Sequence, residues 1–338
     1  MIKIISSNTE ENKMKLKKIK RLAAAGAVML MTLSLAGCGA GSRSVKLGAA
    51  GVGGGYYAFS NAFAQMAVAA DEDLEFEVKA TAGSTANIRL LSDGYIDMAI
   101  AQADLVDAAY NGTGVTDKKR YRGYSAVASL YTEACQIVVR ADSGIDSLDD
   151  LQGKKVSVGE EESGTQRNAE QILKMTGLVE SLVDTVTLDY VDAANELKSG
   201  QIDAFFCTAG IQTSVIEELS KECDVKLIGI DDKCRDRLKS VYGFYTDYTI
   251  PAGTYEGQDQ DVETLGVRAV LLARDDMDEK IVEELTGLLF EHSQDIQYSI
   301  ALTFQIDESE AVKNVTIPFH NGAKAYYQKK GIEIPAEQ

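Results

Sequence analysis

Apolar and polar positions fall into two separated segments of the chain, and the order of predicted elements is the same in both. Val45 to Ala49 (VKLGA) reads as a buried strand. A glycine loop, Gly51 to Gly55, follows it, and Tyr57 to Ala70 has helix-forming composition. Leu74 to Ala80 alternates with the period of a half-buried strand. Thr81-Ala82-Gly83-Ser84 predicts a turn that ends in a helix N-cap candidate, with the helix over Thr85 to Leu91. Gly94-Tyr95-Ile96-Asp97 then leads into an apolar strand (MAIA). In the second segment Lys155 to Gly159 is a strand and Glu160 to Thr165 a polar loop with a cap. Gln166 to Met175 is a helix, Val186 to Tyr190 a strand and Ala193 to Lys198 a helix. Gly200-Gln201-Ile202-Asp203 again precedes an apolar strand (AFF). Leu47 to Asp97 spans 50 residues and Val156 to Asp203 spans 47. Strand–helix alternation at this spacing predicts parallel α/β units, and two copies predict two α/β lobes.

Two long strand-like runs connect the copies. Ser125 to Arg140 (SAVASLYTEACQIVVR) lies between them and Val267 to Arg274 (VRAVLLAR) follows the second. Two extended crossings between two lobes make a hinge, a layout suited to closing around a ligand. We expect lobe I to hold 45–132 and the chain from about 260 to 338, and lobe II about 133–259.

Open α/β sheets bind ligands beyond the carboxyl ends of their strands. The loops at such ends are Gly51–Tyr57, Gly83–Asn87, Gln102–Asp104, Glu160–Thr165 and Thr208–Gly210. Three of them open helices with Gly, Ser or Thr, where free N–H groups suit a carboxylate or phosphate. That makes Gly83, Ser84, Ser163, Gly164, Thr165 and Thr208 candidate contacts, although plain capping also explains each hydroxyl. Tyr56 or Tyr57 offers an apolar wall with a hydroxyl handle. Arg89 and Arg167 lie early in their helices, where they either pair with a ligand carboxylate or stand in solvent.

The N-terminus changes where this body resides. Lys13, Lys15, Lys17, Lys18, Lys20 and Arg21 precede a short apolar run, Leu22 to Ala36, ending in Leu35-Ala36-Gly37-Cys38. This reads as a lipoprotein signal peptide over 1–37. Cys38 is then the lipidated first residue, and Gly39 to Ser44 a flexible tether to a membrane surface. Beyond residue 37 the chain carries 27 basic and 50 acidic residues, a net −23. So acidic a protein is ill suited to nucleic acid or an anionic lipid surface. Cys135, Cys207, Cys223 and Cys234 fit no zinc or redox spacing. They read mainly as buried thiols, with a small-loop Cys223–Cys234 disulfide as the alternative.

Catalysis finds little support. Gly51-Val52-Gly53-Gly54-Gly55 lacks the third glycine of a dinucleotide fingerprint, and no acid ends the second strand. His292 and His320, the two histidines, lie outside the cleft loops, so no Ser or Cys nucleophile has a placed base. No metal-ligand spacing occurs, and neither metal nor cofactor is expected.

The chain resembles the TAXI family, the solute-binding proteins of TRAP (tripartite, ATP-independent) transporters. The matching motifs run from about Val45 to Ser293. They include the Gly-rich loop before Tyr56-Tyr57, and Thr81-Ala82-Gly83-Ser84 with Asn87 and Arg89-Leu90-Leu91. Gly94-Tyr95-Ile96-Asp97 with Ala101-Gln102-Ala103-Asp104 follows, then Val138 to Gly144. Gly153 to Gly159 leads to Ser163-Gly164-Thr165, and last come Gly200 to Phe206 and Ile250 to Tyr255. The resemblance implies a type II periplasmic-binding-protein fold: two α/β lobes, two hinge strands and a cleft between. It implies no catalysis, a membrane permease partner, and ligands such as glutamate, glutamine or 2-oxoglutarate. It points to Tyr56 or Tyr57, Ser84, Asn87, Gln102, Ser163 and Thr165 as contacts. A binding protein for an ATP-driven (ABC) importer, or a signalling receptor, is the alternative. One departure bears on the ligand. Glu160, Glu161 and Glu162 precede the Ser-Gly-Thr loop, where small or apolar residues are typical. With Glu161 or Glu160 facing inward, an amino acid is favoured over a keto acid.

Overall fold

The computed structural model of the protein describes residues 43–114, 118–179, 181–299 and 306–335. The signal segment 1–37 and Cys38 lie outside the described residues. Of the expected tether, Arg43 and Ser44 are described and belong to the first strand.

The first repeat forms β1 (Arg43–Gly48), α1 (Gly55–Ala70), β2 (Leu74–Lys79), α2 (Ser84–Ser92) and β3 (Met98–Gln102). After α3 (Ala103–Asn111) comes β4 (Tyr124–Arg140), 17 residues long. The second repeat forms β5 (Lys155–Ser157), α4 (Gly164–Thr176), β6 (Asp184–Val186), α5 (Tyr190–Ser199) and β7 (Ala204–Ala209). Then follow α6 (Ser214–Glu222), β8 (Val225–Leu227), α7 (Asp232–Val241), β9 (Thr246–Ile250) and β10 (Val262–Arg274). Helices α8 (Glu279–Glu291), α9 (Ser293–Ser299) and α10 (Asn321–Lys330) complete the chain.

The strands form one mixed sheet in the order β2-β1-β3-β10-β4-β7-β5-β6, with β8 on β4 and β9 on β10. Within each repeat the first strand lies between the second and the third. The predicted Gly-x-Ile-Asp echo has a structural basis. Asp97 accepts a hydrogen bond from Lys46 N at 2.9 Å, within β1, and Asp203 accepts one from Lys155 N at 2.9 Å, at the start of β5. Gly94 and Gly200 precede them with φ of 76° and 74°, the left-handed conformation that lets each chain turn out of its helix. The repeat is thus a shared way of fastening helix to strand. Tyr190 corrects the expectation of a strand over Val186 to Tyr190. Asp189 accepts from Asp192 N at 2.8 Å and caps a helix there, so β6 ends at Val186.

The long strands β4 and β10 pair antiparallel and run through two larger hydrophobic cores, with two smaller clusters beside the second. Tyr124, Val127, Leu130 and Tyr131 of β4 pack with Val45, Phe59, Phe63, Leu285 and Tyr327. Cys135, Ile137 and Val139 of the same strand pack with Val156, Ile172 and Leu238. On β10 the change of core falls between Val267 and Ala269. The pairing register shifts between Arg268 and Val270, and again between Leu271 and Leu272. Such irregularities bend a strand pair locally. The crossing therefore sits at Thr132–Glu133 on β4, facing Val267–Arg268 on β10. We refer to the two cores as lobe I and lobe II.

All four described cysteines beyond Cys38 are free, so the Cys223–Cys234 disulfide does not form. Cys135, Cys207 and Cys234 are buried, as expected of thiols acting as small hydrophobes.

Candidate functional site

The glycine loop, the two repeat turns and the crossing of β4 meet in a cleft between the lobes. Four helices begin at its wall: α1 at Gly55, α2 at Ser84, α4 at Gly164 and α5 at Tyr190. Neither Gly54 nor Gly83, the residues before α1 and α2, supplies a side-chain cap. Helix N-termini from both lobes thus face one space, with the partial positive charge that favours a carboxylate.

Of the residues expected as contacts, Tyr56, Gly83, Ser84, Gln102, Ser163, Gly164, Thr165 and Thr208 line this cleft. Several hydroxyls are already engaged. Ser84 Oγ accepts from Gln102 N at 3.1 Å, tying α2 to the end of β3. Ser163 Oγ accepts from Gln166 N at 2.9 Å as the cap of α4. Tyr190 Oη donates to the Thr208 carbonyl at 3.0 Å, so Thr165 Oγ1, 2.6 Å from Tyr190 Oη, donates to it and accepts from Thr208 N at 3.2 Å. These hydroxyls build the wall.

Three expected contacts lie elsewhere. Asn87, in the first turn of α2, is fully buried. Its Nδ2 donates to the carbonyls of Ile100 (2.8 Å), Gly48 (3.3 Å) and Ala49, while its Oδ1 accepts from Thr81 Oγ1 at 2.7 Å. It pins the ends of β1 and β3 to the turn before α2. Tyr57 stands one helical position beyond Tyr56 and faces away from the cleft lining, half-buried. Glu161 is exposed and off the cleft, whereas Glu160 lines it. Asp189 and Tyr190 also line the cleft, although sequence reasoning did not select them.

Sequence reasoning also missed Glu133. It lines the cleft at the crossing of β4, is 3% exposed, and accepts from Tyr56 Oη at 2.6 Å. Burial pushes its carboxyl up to about 8, against smaller lowering by the Tyr56 and Gln102 hydrogen bonds. A lone acid inside the apolar run SLYTEACQIVV was the available signal, since such a residue is rarely buried without a partner or a purpose.

Contacts across the cleft hold the lobes together. The Glu162 carbonyl of lobe II accepts from Thr85 N (3.1 Å) and Ala86 N (3.2 Å), the first-turn donors of α2 in lobe I. Glu162 adopts φ 64°, and its carboxylate forms a fork with Arg89 at 3.0 and 2.6 Å. Arg89 is therefore committed to the other lobe. On the far side Thr213 Oγ1 donates to the Gly53 carbonyl at 2.9 Å. Between these, Gln102 Nε2 donates to Asn168 Oδ1 at 3.0 Å. The Arg89–Glu162 side chains are more than a third exposed, and such pairs contribute about 0.2–1 kcal/mol. Arg89→Met is expected to weaken ligand binding by no more than about fivefold. Added salt, in titration calorimetry, should weaken the parent chain more than the variant.

Residues 47–331 match the model of the NMT1-like family. The structure resembles PhnD1 from Prochlorococcus marinus (MIT 9301), solved with methylphosphonate. Identity is 13%, the match covers 86% of this chain and 99% of that one, and the TM-score is 0.54. A protein from Bordetella bronchiseptica RB50 gives 15% identity, 86% and 98% coverage and a TM-score of 0.54. The alkanesulfonate-binding protein SsuA from Xanthomonas axonopodis pv. citri, bound to MOPS, gives 14%, 87% and 82%, and 0.46. At these identities the likeness is one of fold, the type II periplasmic-binding-protein fold that the sequence motifs implied. The family match spans both lobes and both hinge strands, and the chain belongs to the NMT1-like family.

Proposed function

We propose that the protein is the extracytoplasmic solute-binding receptor of an importer, tethered by acyl chains on Cys38 and delivering a small carboxylate-bearing solute to a membrane permease. The observation that carries this reading is the cleft itself. Helix N-termini of both lobes face it, it lies at a two-strand hinge, and backbone contacts across it close the mouth. An amino acid is the favoured solute. The helix N-termini suit its carboxylate, and Glu160 with Asp189 suits its ammonium. The cleft offers no histidine: His320 is the buried cap of α10, and His292 pairs with Asp295. A receptor that binds and releases needs no such base.

The recipient permease is proposed as one of two classes. A TRAP permease rests on the sequence motifs. An ATP-driven importer is the class named for one similar structure, a putative L-cystine ABC transporter from Listeria monocytogenes; at 13% identity and a TM-score of 0.47 that likeness carries no assignment. Uptake into vesicles that contain the permease and the receptor separates them. A requirement for ATP identifies the second class, and uptake driven by an ion gradient alone identifies the first.

The receptor reading is tested on the full chain, purified in detergent and freed of bound solute by unfolding and refolding. Melting is followed with glutamate, glutamine, aspartate, 2-oxoglutarate, succinate and phosphate. A ligand at 100 times its dissociation constant stabilises by about 2.7 kcal/mol, an easily read shift. Turnover of any of these compounds would overturn the reading.

A further inference from the structure

The Gln102 amide at the cleft wall belongs to a chain of buried side-chain hydrogen bonds. Tyr245 Oη donates to Gln171 Oε1 at 2.5 Å, so it accepts from Asn168 Nδ2 at 2.8 Å. That leaves Asn168 Oδ1 as the acceptor for Gln102 Nε2. The Gln102 carbonyl oxygen is therefore turned away from Asn168, and Oε1 is buried with no partner. Gln102 itself is 1% exposed and lines the cleft. Buried carbonyl oxygens are nearly always satisfied. This one belongs to a side chain that lines the cleft.

The charges around it agree. Glu160 and Asp189 line the cleft, Glu133 beside them keeps its proton at neutral pH, and among the described lining residues there is no Lys, Arg or His. Burial and the nearby Asp189 charge both resist ionisation of Glu160. Arg89, one of two arginines placed either against a ligand carboxylate or in solvent, is occupied by Glu162. A first anionic group can rest on the helix N-termini, but a second would meet carboxylates and an orphaned carbonyl.

We propose that the solute is an amine-bearing compound of zero or positive net charge, whose N–H group donates to Gln102 Oε1, and that dicarboxylates are excluded. This rests on the receptor reading and narrows it. Glutamine or an amino acid with a cationic side chain fits; glutamate and 2-oxoglutarate, each with a second carboxylate, do not.

Titration calorimetry on the full chain, freed of solute, with glutamine, lysine, glutamate and 2-oxoglutarate provides the test. At least one of the first two should bind about tenfold or more tighter than glutamate, with 2-oxoglutarate weaker still. The double variant Glu160→Gln, Asp189→Asn removes the repulsion while keeping a competent cap at 189. It should raise glutamate binding relative to glutamine about tenfold. Gln102→Met, which lacks the acceptor, should weaken the amine ligand about tenfold or more without lowering the melting temperature by more than a few degrees. Tighter binding of 2-oxoglutarate or glutamate than of either amine-bearing, non-acidic compound overturns this inference and leaves the receptor standing. Binding of none of the four, in the parent chain, overturns this inference, while the receptor reading stands or falls on the wider melting panel.

Discussion

A single methyl group at Gly164 is expected to lower ligand affinity by roughly 5- to 150-fold, the range set by about 1–3 kcal/mol for overfilling a packed site. Gly164 opens α4 in lobe II. A Cβ there would lie 2.5 Å from Gln102 Cδ, and 2.6 and 2.7 Å from its amide oxygen and nitrogen. Side-chain ends often swing aside, but this one is buried and bonded to Asn168. Gly164→Ala must therefore break that bond or keep the lobes apart. The melting temperature without ligand should change little, because neither core is touched. Gly83→Ala supplies the contrast. Gly83 has φ 127° and ψ −149°, a conformation essentially reserved for glycine, at about 1–3 kcal/mol for another residue. It should lower stability with or without ligand. Calorimetric affinity together with melting curves separates the two effects. Parent-like affinity in Gly164→Ala would show that the Gln102 contact is dispensable for closure.

Stability is expected to fall as pH rises from 7 to 8.5, and Glu133→Gln to remove most of that fall. The folded chain keeps a proton on Glu133 up to about 8, whereas an unfolded carboxyl releases it near 4.5. Between those values the folded state binds the extra proton, so raising the pH favours unfolding. The stabilisation is complete below 4.5 and lost as pH passes through 8. The slope inside the window is about 1.4 kcal/mol per pH unit for one such group. Asp104, pushed up to about 6 by burial, acts in the same direction at lower pH and has finished by 7. The groups around Glu133 are Tyr56 on α1, Tyr131 and Cys135 on its own strand, Gln102 on β3 and Asp104 on α3. The tyrosines and the thiol are all pushed upward by burial, so none competes in this range. Glu133→Gln keeps an oxygen for Tyr56 and carries no charge. Urea denaturation at pH 7.0 and 8.5 reads the difference directly. An unchanged slope in the variant would remove Glu133 as its source.

The architecture was legible because its signals recur. Strand, loop, helix and Gly-x-Ile-Asp appear twice, and Asp97 and Asp203 bond equivalent strand amides. The run from Ser125 to Arg140 is too long and too apolar for one small lobe, and it serves two cores. Details of the site were legible only where backbone geometry left no choice. Three consecutive glutamates look alike in sequence. The turn before α4 directs Glu160 into the cleft, Glu161 to solvent and Glu162 to Arg89. Asn87 has the chemistry of a ligand contact, yet three carbonyls at strand ends claim its amide. Tyr190 was hidden by an apolar run that continued past β6, until the cap at Asp189 turned the chain into a helix.

The borrowed start of α2 bears on release. Thr85 and Ala86 take their partner from Glu162 on the opposite lobe, so that helix has its first turn satisfied only while the lobes touch. On opening, water replaces one carbonyl oxygen, an exchange worth about 0.5–1.5 kcal/mol per hydrogen bond. The two bonds together amount to about 1–3 kcal/mol, a few times thermal energy. A carrier whose cargo must leave on arrival is served by such weakness: the clasp holds during transit and yields without any chemical step.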